Sequence, residues 1–409
     1  MLSGRGVVVF AAALGLWLVA RIAGSPTLHI IAVGLAVLPI AAVAYTRWSR
    51  QRLRVRRRVS DQRIQPGRRV TVDLEIENES PASTSFLLLE DTIPAGLGRT
   101  ARLVLTGVAA RGAARASYSL VAQSRGRFSV GPLSIDVCDP FALTRSRVEF
   151  AGRDDVVVTP VVEELERGTA SPFGQSSGLS LAKHLSRTGE DFFTMRAYQE
   201  GDDLRRIHWP SVARSGELMI RQDESTRRSN AVLYLDTRRS ALGQTRSPAF
   251  ERAVSAGASI GTLLARYGFT IRLATTQLAP SAVSQDRLLD TLAGISHDQS
   301  RSATTALSRL RSAASAEATL VVITAPPEPS DLAALVRVGS VFGPKLAVLV
   351  YPVDPAALPP DRQAQLEGRA SAARLSLSRA GWEVLVLGPE TSLREIWERN
   401  KTSVPALSG

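Results

Sequence analysis

Residues 231–240 read AVLYLDTRRS, a nearly continuous apolar run that ends abruptly in an aspartate and two arginines. Near-continuous apolar runs are typical of strands that are buried on both faces, as in a parallel sheet. We therefore predict a buried strand over 231–236 with Asp236 at its carboxyl end. Four runs of the same kind follow: TIRLAT (270–275), ATLVVIT (318–324), KLAVLVY (345–351) and EVLVL (383–387).

Helical patterns separate these runs and predict a doubly wound α/β domain over residues 230–409. Ser330 is the expected N-cap of one helix, and Gly268 and Gly381 are the expected C-caps of two others. The predicted helices cover residues 250–267, 286–295, 303–314, 331–339, 362–381 and 392–399.

The N-terminus carries a different signal, because residues 6–23 and 28–45 are two apolar stretches of 18 residues each. Each nearly crosses a hydrocarbon core of ~30 Å as a helix. Gly24 and Pro26 lie between them, so residues 1–48 are predicted to form a transmembrane helical hairpin. A cleaved signal peptide is the alternative, but a second apolar span follows the first at once.

Charge predicts the orientation of this hairpin. The chain has a formal net charge of +12, and ten arginines but only one acid, Asp61, fall within residues 47–69. Arginine beside a membrane span is retained on the cytoplasmic side. We therefore expect a multi-pass protein of the cell membrane with two helices and with the bulk of the chain in the cytoplasm. Cys138 is the only cysteine, so no disulfide can form within the chain.

Residues 49–160 are predicted to form a β-sandwich of the immunoglobulin-like kind. In residues 53–59, Leu53, Val55 and Val59 alternate with arginines, which is the pattern of a half-buried strand. Short strands separated by turn residues at even spacing favour a sandwich, and this module offers no catalytic group. The other predicted strands cover residues 70–77, 85–90, 101–106, 115–121, 128–137 and 156–159.

Residues 161–229 are predicted to be a linker followed by a charged segment. Residues 187–214, the signature segment, mix acids, arginines and aromatic rings more densely than the rest of the chain. Asp202 and His208 could move protons beside an anion held by arginines, in which case a pocket should converge on them. The alternative is a structural lattice or docking surface, with side chains that are paired and largely buried.

The signature segment resembles a family called "domain of unknown function 58", and the resemblance extends over most of the chain. Met195 stands where the family has Leu, His208 where an acid is usual, and Val212 where Ser is common. We expect the signature residues, including His208, to be structural or to bind a partner. The positions that match the family pattern are Gly189, Phe192, Arg196, Tyr198, Gly201, Asp202, Arg206, Ile207, Trp209, Ala213 and Arg214.

The domain over residues 230–409 resembles a von Willebrand factor A domain, whose metal site needs Asp-x-Ser-x-Ser after the first strand. Asp236 and Ser240 match that pattern, but Arg238 stands at the middle position. A guanidinium has no lone pair to donate to Mg²⁺ and repels it. Thr324 is followed by Ala325 where the family has an acid. We therefore expect a degenerate site that binds no metal, with Asp236 capped by or paired with Arg238 or Arg239.

These observations predict a membrane-anchored, cytoplasmic-facing adaptor with no cofactor and no catalytic residues. The resemblance implies a MoxR-type AAA+ ATPase as the protein partner, in the assembly or maturation of envelope components or other complexes. One alternative is a hydrolytic or transfer enzyme that uses Asp202, His208 and the neighbouring arginines. A second is a module for anionic lipid or nucleic acid, which is disfavoured because the excess charge is concentrated at the membrane edge.

Overall fold

The computed structural model describes residues 3–50, 53–81, 83–84, 86–139, 141–165, 193–198, 207–223 and 230–402. The chain divides into two compact units, Met1–Thr159 and Pro160–Gly409. Each unit has its own helices and strands and its own apolar core.

The first unit begins with two apolar helices, α1 (Gly4–Ala23) and α2 (Pro26–Arg50). The side chain of Ser3 accepts a hydrogen bond from the Gly6 amide and so caps α1, which ends at Gly24 in the left-handed conformation. Spans of 20 residues in the two helices, with mean hydropathy 2.1 and 2.3, are long and apolar enough to cross a membrane. The prediction of two such helices is confirmed. Helix α2 extends beyond the predicted residue 45 to Arg50.

Small residues line the contact between these helices. Gly6, Ala13 and Ala20 are the buried residues of α1, spaced at seven, and Ala32 and Ala42 are buried in α2. Small side chains let two helix backbones approach closely, as in membrane bundles. Large apolar side chains such as Ile22 (88% exposed) and Ile30 (73% exposed) point away from the contact, as they do in helices that lipid surrounds.

Ten strands follow within the described part of the first unit and form three sheets, with orders β1-β3-β6, β2-β10-β7 and β5-β4-β8-β9. Strands β3, β4, β8 and β10 supply most of one apolar core that all three sheets share. The strands are β1 Leu53–Val59, β2 Arg63–Ile64, β3 Arg69–Asn78, β4 Phe86–Asp91, β5 Ala101–Thr106, β6 Ala113–Val121, β7 Gly126–Val130, β8 Leu133–Cys138, β9 Arg145–Phe150 and β10 Asp154–Val158.

Two differences from the predicted strands have a physical reason. The single strand predicted over 128–137 is broken at Gly131 and Pro132 into β7 and β8, which belong to different sheets. Strand β9 was not predicted because its sequence, RSRVEF, is mostly polar; the strand lies at a sheet edge and exposes half of its residues.

Arg57 is the one arginine of β1 that points inward. Its guanidinium forms a two-point ion pair with Asp91, at 2.8 and 3.1 Å, and a further pair with Asp154 at 3.1 Å. The side chains of Arg57 and Asp91 are 6% and 1% exposed. Burial raises the pKa of Asp91, although Tyr118 and Arg57 act in the opposite direction. Because β1, β4 and β10 lie in different sheets, Arg57 joins all three sheets through charge.

The second unit contains a six-stranded sheet with the order β15-β14-β13-β16-β17-β18, in which only the edge strand β15 is antiparallel. The five predicted strands are confirmed, and β15 is an addition to them. The strands are β13 Asn230–Leu235, β14 Thr270–Thr275, β15 Ser281–Val283, β16 Thr319–Thr324, β17 Lys345–Val350 and β18 Glu383–Leu387. A separate antiparallel pair is formed by β11 Phe193–Ala197 and β12 Met219–Asp223.

Helices cover both faces of this sheet, since Leu233 and Leu235 pack into one core and Val232 and Tyr234 into another. The described helices of the second unit are α3 Trp209–Ser215, α4 Arg239–Leu242, α5 Pro248–Arg266, α6 Gln285–Gly294, α7 Thr304–Arg309, α8 Pro329–Gly339, α9 Pro360–Arg379 and α10 Leu393–Thr402, of which α3 lies beside β12.

The caps of these helices differ in part from the predicted ones. Ser330 is not the N-cap of α8: the cap is Glu328, because Pro329 occupies the first helical turn. Gly268 and Gly381 lie one residue beyond the C-caps of α5 and α9, both with φ +77, where a left-handed residue ends a helix.

Candidate functional site

The candidate site lies at the carboxyl edge of the six-stranded sheet, between β13 and β16. The chain passes from β13 to β14 on one side and then returns to β16 on the other, so the direction of winding reverses between these two strands. A crevice opens outside the strands at such a reversal, and α/β folds bind ligands there. Asp236 follows β13 directly, and Thr324 ends β16.

Asp236 is fully buried, and its carboxylate is saturated with hydrogen bonds. The backbone amide and Nε of Arg238 donate to Oδ1 at 3.1 and 3.0 Å. Nη2 of Arg238 and the hydroxyl of Thr324 donate to Oδ2, both at 2.7 Å. The guanidinium of Arg238 therefore binds this carboxylate through two parallel hydrogen bonds, which is a strong arrangement for such a pair.

Arg238 also binds a second carboxylate, which belongs to the first turn of α8. Its Nη1 donates to Oδ2 of Asp331 at 2.6 Å, and both side chains are buried. Burial alone would lower the pKa of Arg238, but Asp236 and Asp331 outweigh burial and raise it. Asp331 is further held by the Ala303 amide at 3.3 Å. Two buried acids and one arginine thus form a closed group, the Arg238 cluster.

This arrangement leaves no room for a metal ion. Asp236 and Thr324 carry oxygen atoms of the kind that Mg²⁺ binds, but these atoms are already bonded to each other or to Arg238. The guanidinium supplies the positive charge that an ion would otherwise bring, so the residues present do not fit a metal. Ser240 is exposed in α4 at the edge of the crevice. Among the described residues, no group of three His, Cys, Asp or Glu side chains could hold a metal.

The sequence predicted that Asp236 pairs with Arg238 or Arg239, and the structure shows which of the two is the partner. Arg238 is the partner, whereas Arg239 is exposed in the first turn of α4. Sequence reasoning missed Asp331, although it is the second acid of the cluster. An acid in a first helical turn is ordinary, because it favours the positive end of the helix dipole, so Asp331 gave no distinctive signal.

A cavity of about 130 Å³ opens above the Arg238 cluster. Its rim carries two more arginines, Arg301 and Arg369, and the acid Glu328. Nε of Arg369 is buried without a hydrogen-bond partner. The cavity is smaller than the ~300–1,000 Å³ typical of small-molecule sites. Its volume and its two rim arginines fit one anionic side chain better than a cofactor.

The signature segment is only partly within the described residues. Gly189, Phe192, Gly201, Asp202 and Arg206 lie outside them, so the predicted partnership of Asp202 with His208 stays a prediction. Arg196 belongs to β11, where its backbone pairs with that of Ile220 in β12. Ile207, His208, Trp209, Ala213 and Arg214 lie at the start of α3 or within it, and the backbone amide of Tyr198 donates to Leu218 O.

One described signature residue, Trp209, differs from the expected buried lattice. Trp209 is 66% exposed at the start of α3, so the expectation that it is buried is wrong. Proline at the next position starts this helix at the surface, which leaves the indole outside. Nδ1 of His208 lies 2.9 Å from the hydroxyl of Ser211, three residues on in the first turn. That contact lies within one helical turn and braces the start of α3.

Comparison with known proteins matches this part of the chain to one family. The model of the family described as "Protein of unknown function DUF58" matches residues 194–384. The matched range runs from β11 to β18 and includes Arg238, Asp331 and both rim arginines.

One relative and two solved structures give the scale of the similarity. The uncharacterized protein YeaD of Bacillus subtilis (strain 168) is 25% identical over 217 residues, 50% of this chain and 51% of that protein, so the chain spans about half of the relative's length. The CARDB domain of a Pyrococcus furiosus protein, solved with di-metal ions, is 11% identical, with a TM-score of 0.20 and coverage of 26% of this chain and 86% of that one. The C-terminal domain of Wzt is 8% identical, with a TM-score of 0.22 and coverage of 28% and 78%.

At these TM-scores neither solved structure indicates a shared fold. The family match therefore carries the comparison, and residues 194–384 form a DUF58 family domain.

Proposed function

We propose that this protein is a membrane-anchored adaptor, with α1 and α2 spanning the membrane and the rest of the chain in the cytoplasm. In this proposal the sheets of the first unit are an immunoglobulin-like β-sandwich that acts as a spacer, and residues 230–409 are a von Willebrand factor A-like domain that holds a protein partner. The partner class, a MoxR-type AAA+ ATPase acting in assembly or maturation, comes from family resemblance.

The observation that carries the proposal is the Arg238 cluster beneath a small arginine-rimmed cavity. The cluster lies at the place where such folds bind ligands, and its one arginine is already paired with two buried acids, so the unopposed positive charge comes from the arginines of the rim. Arg301 is exposed, and both Arg301 and Arg369 line the cavity, so their guanidinium groups can attract an incoming carboxylate. A planar guanidinium binds a carboxylate with two parallel hydrogen bonds, so an Asp or Glu side chain of a partner is the ligand that fits.

The contacts of the cluster favour a binding role over chemistry. Every strong donor of Arg238 is committed to a buried carboxylate or to the Arg301 carbonyl oxygen, so the group is rigid and holds no proton to transfer near neutral pH. A rigid, preorganised pocket lowers the cost of immobilising side chains when a partner binds.

Photo-crosslinking from the crevice tests this function in living cells. A photoreactive amino acid replaces exposed Ser240 in the full-length protein, and crosslinked products are identified by mass spectrometry. We expect an AAA+ ATPase crosslinked from position 240 and not from exposed Arg362, which lies on α9 outside the cavity lining. Equal crosslinking from both positions, or an ATPase at neither, would contradict the proposal.

The orientation is tested separately. Reporter fusions after residue 60 and after residue 409 should both report the cytoplasm, because the arginines of residues 47–69 resist translocation. A periplasmic report from the second fusion would contradict the membrane arrangement.

A further inference from the structure

The loop that contains residues 141–144 fastens the sheets of the first unit to the two termini of the helical hairpin. The amide of Ser3, just before α1, donates to Leu143 O at 2.8 Å, and its hydroxyl donates to Ala142 O at 2.7 Å. The hydroxyl of Thr144 lies 3.3 Å from the carbonyl oxygen of Ala42 in α2. One short loop thus contacts the beginning of the first helix and the end of the apolar part of the second.

These contacts fix the depth of the loop relative to the apolar spans. The apolar span of α2 ends at Tyr45, and Ala42 lies one turn before that end, ~4.5 Å along the helix axis. Ser3 lies directly before the apolar span of α1, which begins at Gly4. If the helices cross a membrane, the loop therefore lies at the boundary between hydrocarbon and headgroups.

The loop is built to present Phe141 outward. Asp139 is fully buried, and its carboxylate accepts hydrogen bonds from the amides of Phe141, at 2.8 Å, and Thr144. Ala142 has φ 55, a left-handed conformation that is uncommon for a residue with a Cβ atom. Leu143 turns into the protein and is 5% exposed, whereas Phe141 is 64% exposed. A large aromatic ring is thus exposed at the protein surface beside two membrane-type helices.

We propose that Phe141 inserts into the interfacial layer of the bilayer that the hairpin spans. The loop is then a third membrane contact that fixes how the sheets of the first unit stand against the lipid surface. Lipid is the expected occupant, because the loop is hydrogen-bonded to the helix ends at the level where lipid begins, and aromatic rings are enriched at that level. This inference rests on the proposed membrane anchoring, and its test separates the two.

The test uses nitroxide spin labels on single cysteines in the full-length protein, in a Cys138→Ala background, reconstituted into phosphatidylcholine–phosphatidylglycerol vesicles. The labels are placed at position 141, at Val33 in the middle of α2, and at Val104. Val104 is the matched control, since it is apolar and 62% exposed but lies on β5, at the sheet edge farthest from β9. Accessibility to oxygen and to a water-soluble nickel complex gives the depth of each label.

We expect Val33→Cys to report the hydrocarbon core, Phe141→Cys a depth of ~5–10 Å into the headgroup and acyl boundary, and Val104→Cys water. If position 141 is as accessible to nickel as position 104 while position 33 is deep, the inference is overturned and the anchoring stands. If position 33 is also aqueous, the membrane anchoring itself fails.

A second measurement tests the same proposal without the Cys138→Ala substitution, in case that substitution prevents folding. The variants Phe141→Trp and Val104→Trp, made with Cys138 intact, are compared for quenching by lipids brominated near the headgroup. After subtraction of the wild-type signal, quenching is expected for position 141 only. Equal quenching at both positions would overturn the inference.

Discussion

Arg238 and Asp236 form a buried two-point ion pair, with Nε 3.0 Å from Oδ1 and Nη2 2.7 Å from Oδ2. The two residues are separated by a single position in the sequence, and their pairing places a cation at the carboxyl edge of the parallel sheet. Because Asp331 binds the same guanidinium, one positive charge faces two negative charges in a site that water hardly reaches. The stability of this edge therefore depends on Arg238.

Removing that charge should destabilise the second unit strongly. Arg238→Met keeps much of the side-chain volume but leaves Asp236 and Asp331 buried without a partner. Breaking a buried pair in this way typically costs ~3–5 kcal/mol of unfolding free energy. Urea unfolding of the purified full-length protein measures the change, with exposed Arg239→Met as the matched control. Equal midpoints for the two variants would show that the cluster is not structural.

The metal preference of the edge should change when Arg238 is replaced by a small oxygen donor. Wild-type protein should show no melting shift with millimolar Mg²⁺, because the guanidinium occupies the place of an ion. Arg238→Ser frees Asp236, Thr324 and Asp331, so its melting temperature should rise when Mg²⁺ is added. The added unfolding free energy would reach ~2.7 kcal/mol at a Mg²⁺ concentration of 100 Kd. Adding Asp236→Ala should abolish that gain. A Mg²⁺ shift in the wild type would contradict our account of the site.

Trp209 should matter little for stability. Its exposed fraction of 66% means that Trp209→Ala removes few packing contacts, and surface substitutions usually change the unfolding free energy by less than ~0.5 kcal/mol. Thermal unfolding of the full-length protein checks this, with Trp382→Ala as the contrast, because Trp382 is 4% exposed and packs against Gly339. A loss of several kcal/mol for Trp209→Ala would place the indole in a core.

Glu383 should make stability depend on pH near neutrality. Burial raises the pKa of this carboxyl from 4.5 to about 7. The folded protein therefore keeps a proton that the unfolded chain loses between these pH values, so the unfolding free energy falls as pH rises through about 7. At ~1.36 kcal/mol per pKa unit the loss is at most about 3 kcal/mol.

Glu383→Gln should remove this slope and stabilise the protein at pH 8, whereas exposed Glu367→Gln should leave the slope unchanged. Unfolding midpoints measured between pH 5 and pH 8 distinguish the two variants. A slope that survives Glu383→Gln would assign the dependence to another group.

The sequence predicted the elements whose signal is local. Apolar runs predicted β13, β14, β16, β17 and β18, and span length predicted the hairpin, because each depends only on neighbouring residues. The sequence does not predict the role of Arg57, because the arginines near the apolar spans all contribute to the same orientation signal. Its role depends on Asp91 and Asp154, which are distant in sequence. Asp331 was missed for the same reason, since 93 positions separate it from Arg238.

The candidate site was predicted in part. The chemistry of the guanidinium alone predicts that Arg238 is incompatible with a metal. Its pairing with Asp236 was predictable because the two residues are only two positions apart in the sequence. Exposure of Trp209 could not be predicted from composition, because aromatic and charged residues occur together both in buried lattices and on surfaces.

The affinity of the full-length protein for the proposed partner, a MoxR-type AAA+ ATPase, tests the adaptor function most directly. Dissociation constants are measured in detergent for the wild type, for the double variant Arg301→Ala/Arg369→Ala, and for Arg362→Ala as the control on α9. Two charge-assisted hydrogen bonds of ~1.5–3 kcal/mol each predict a loss of at least ~100-fold in affinity for the double variant, with Arg362→Ala unchanged. An ATPase that binds all three proteins equally would contradict a partner site at this edge.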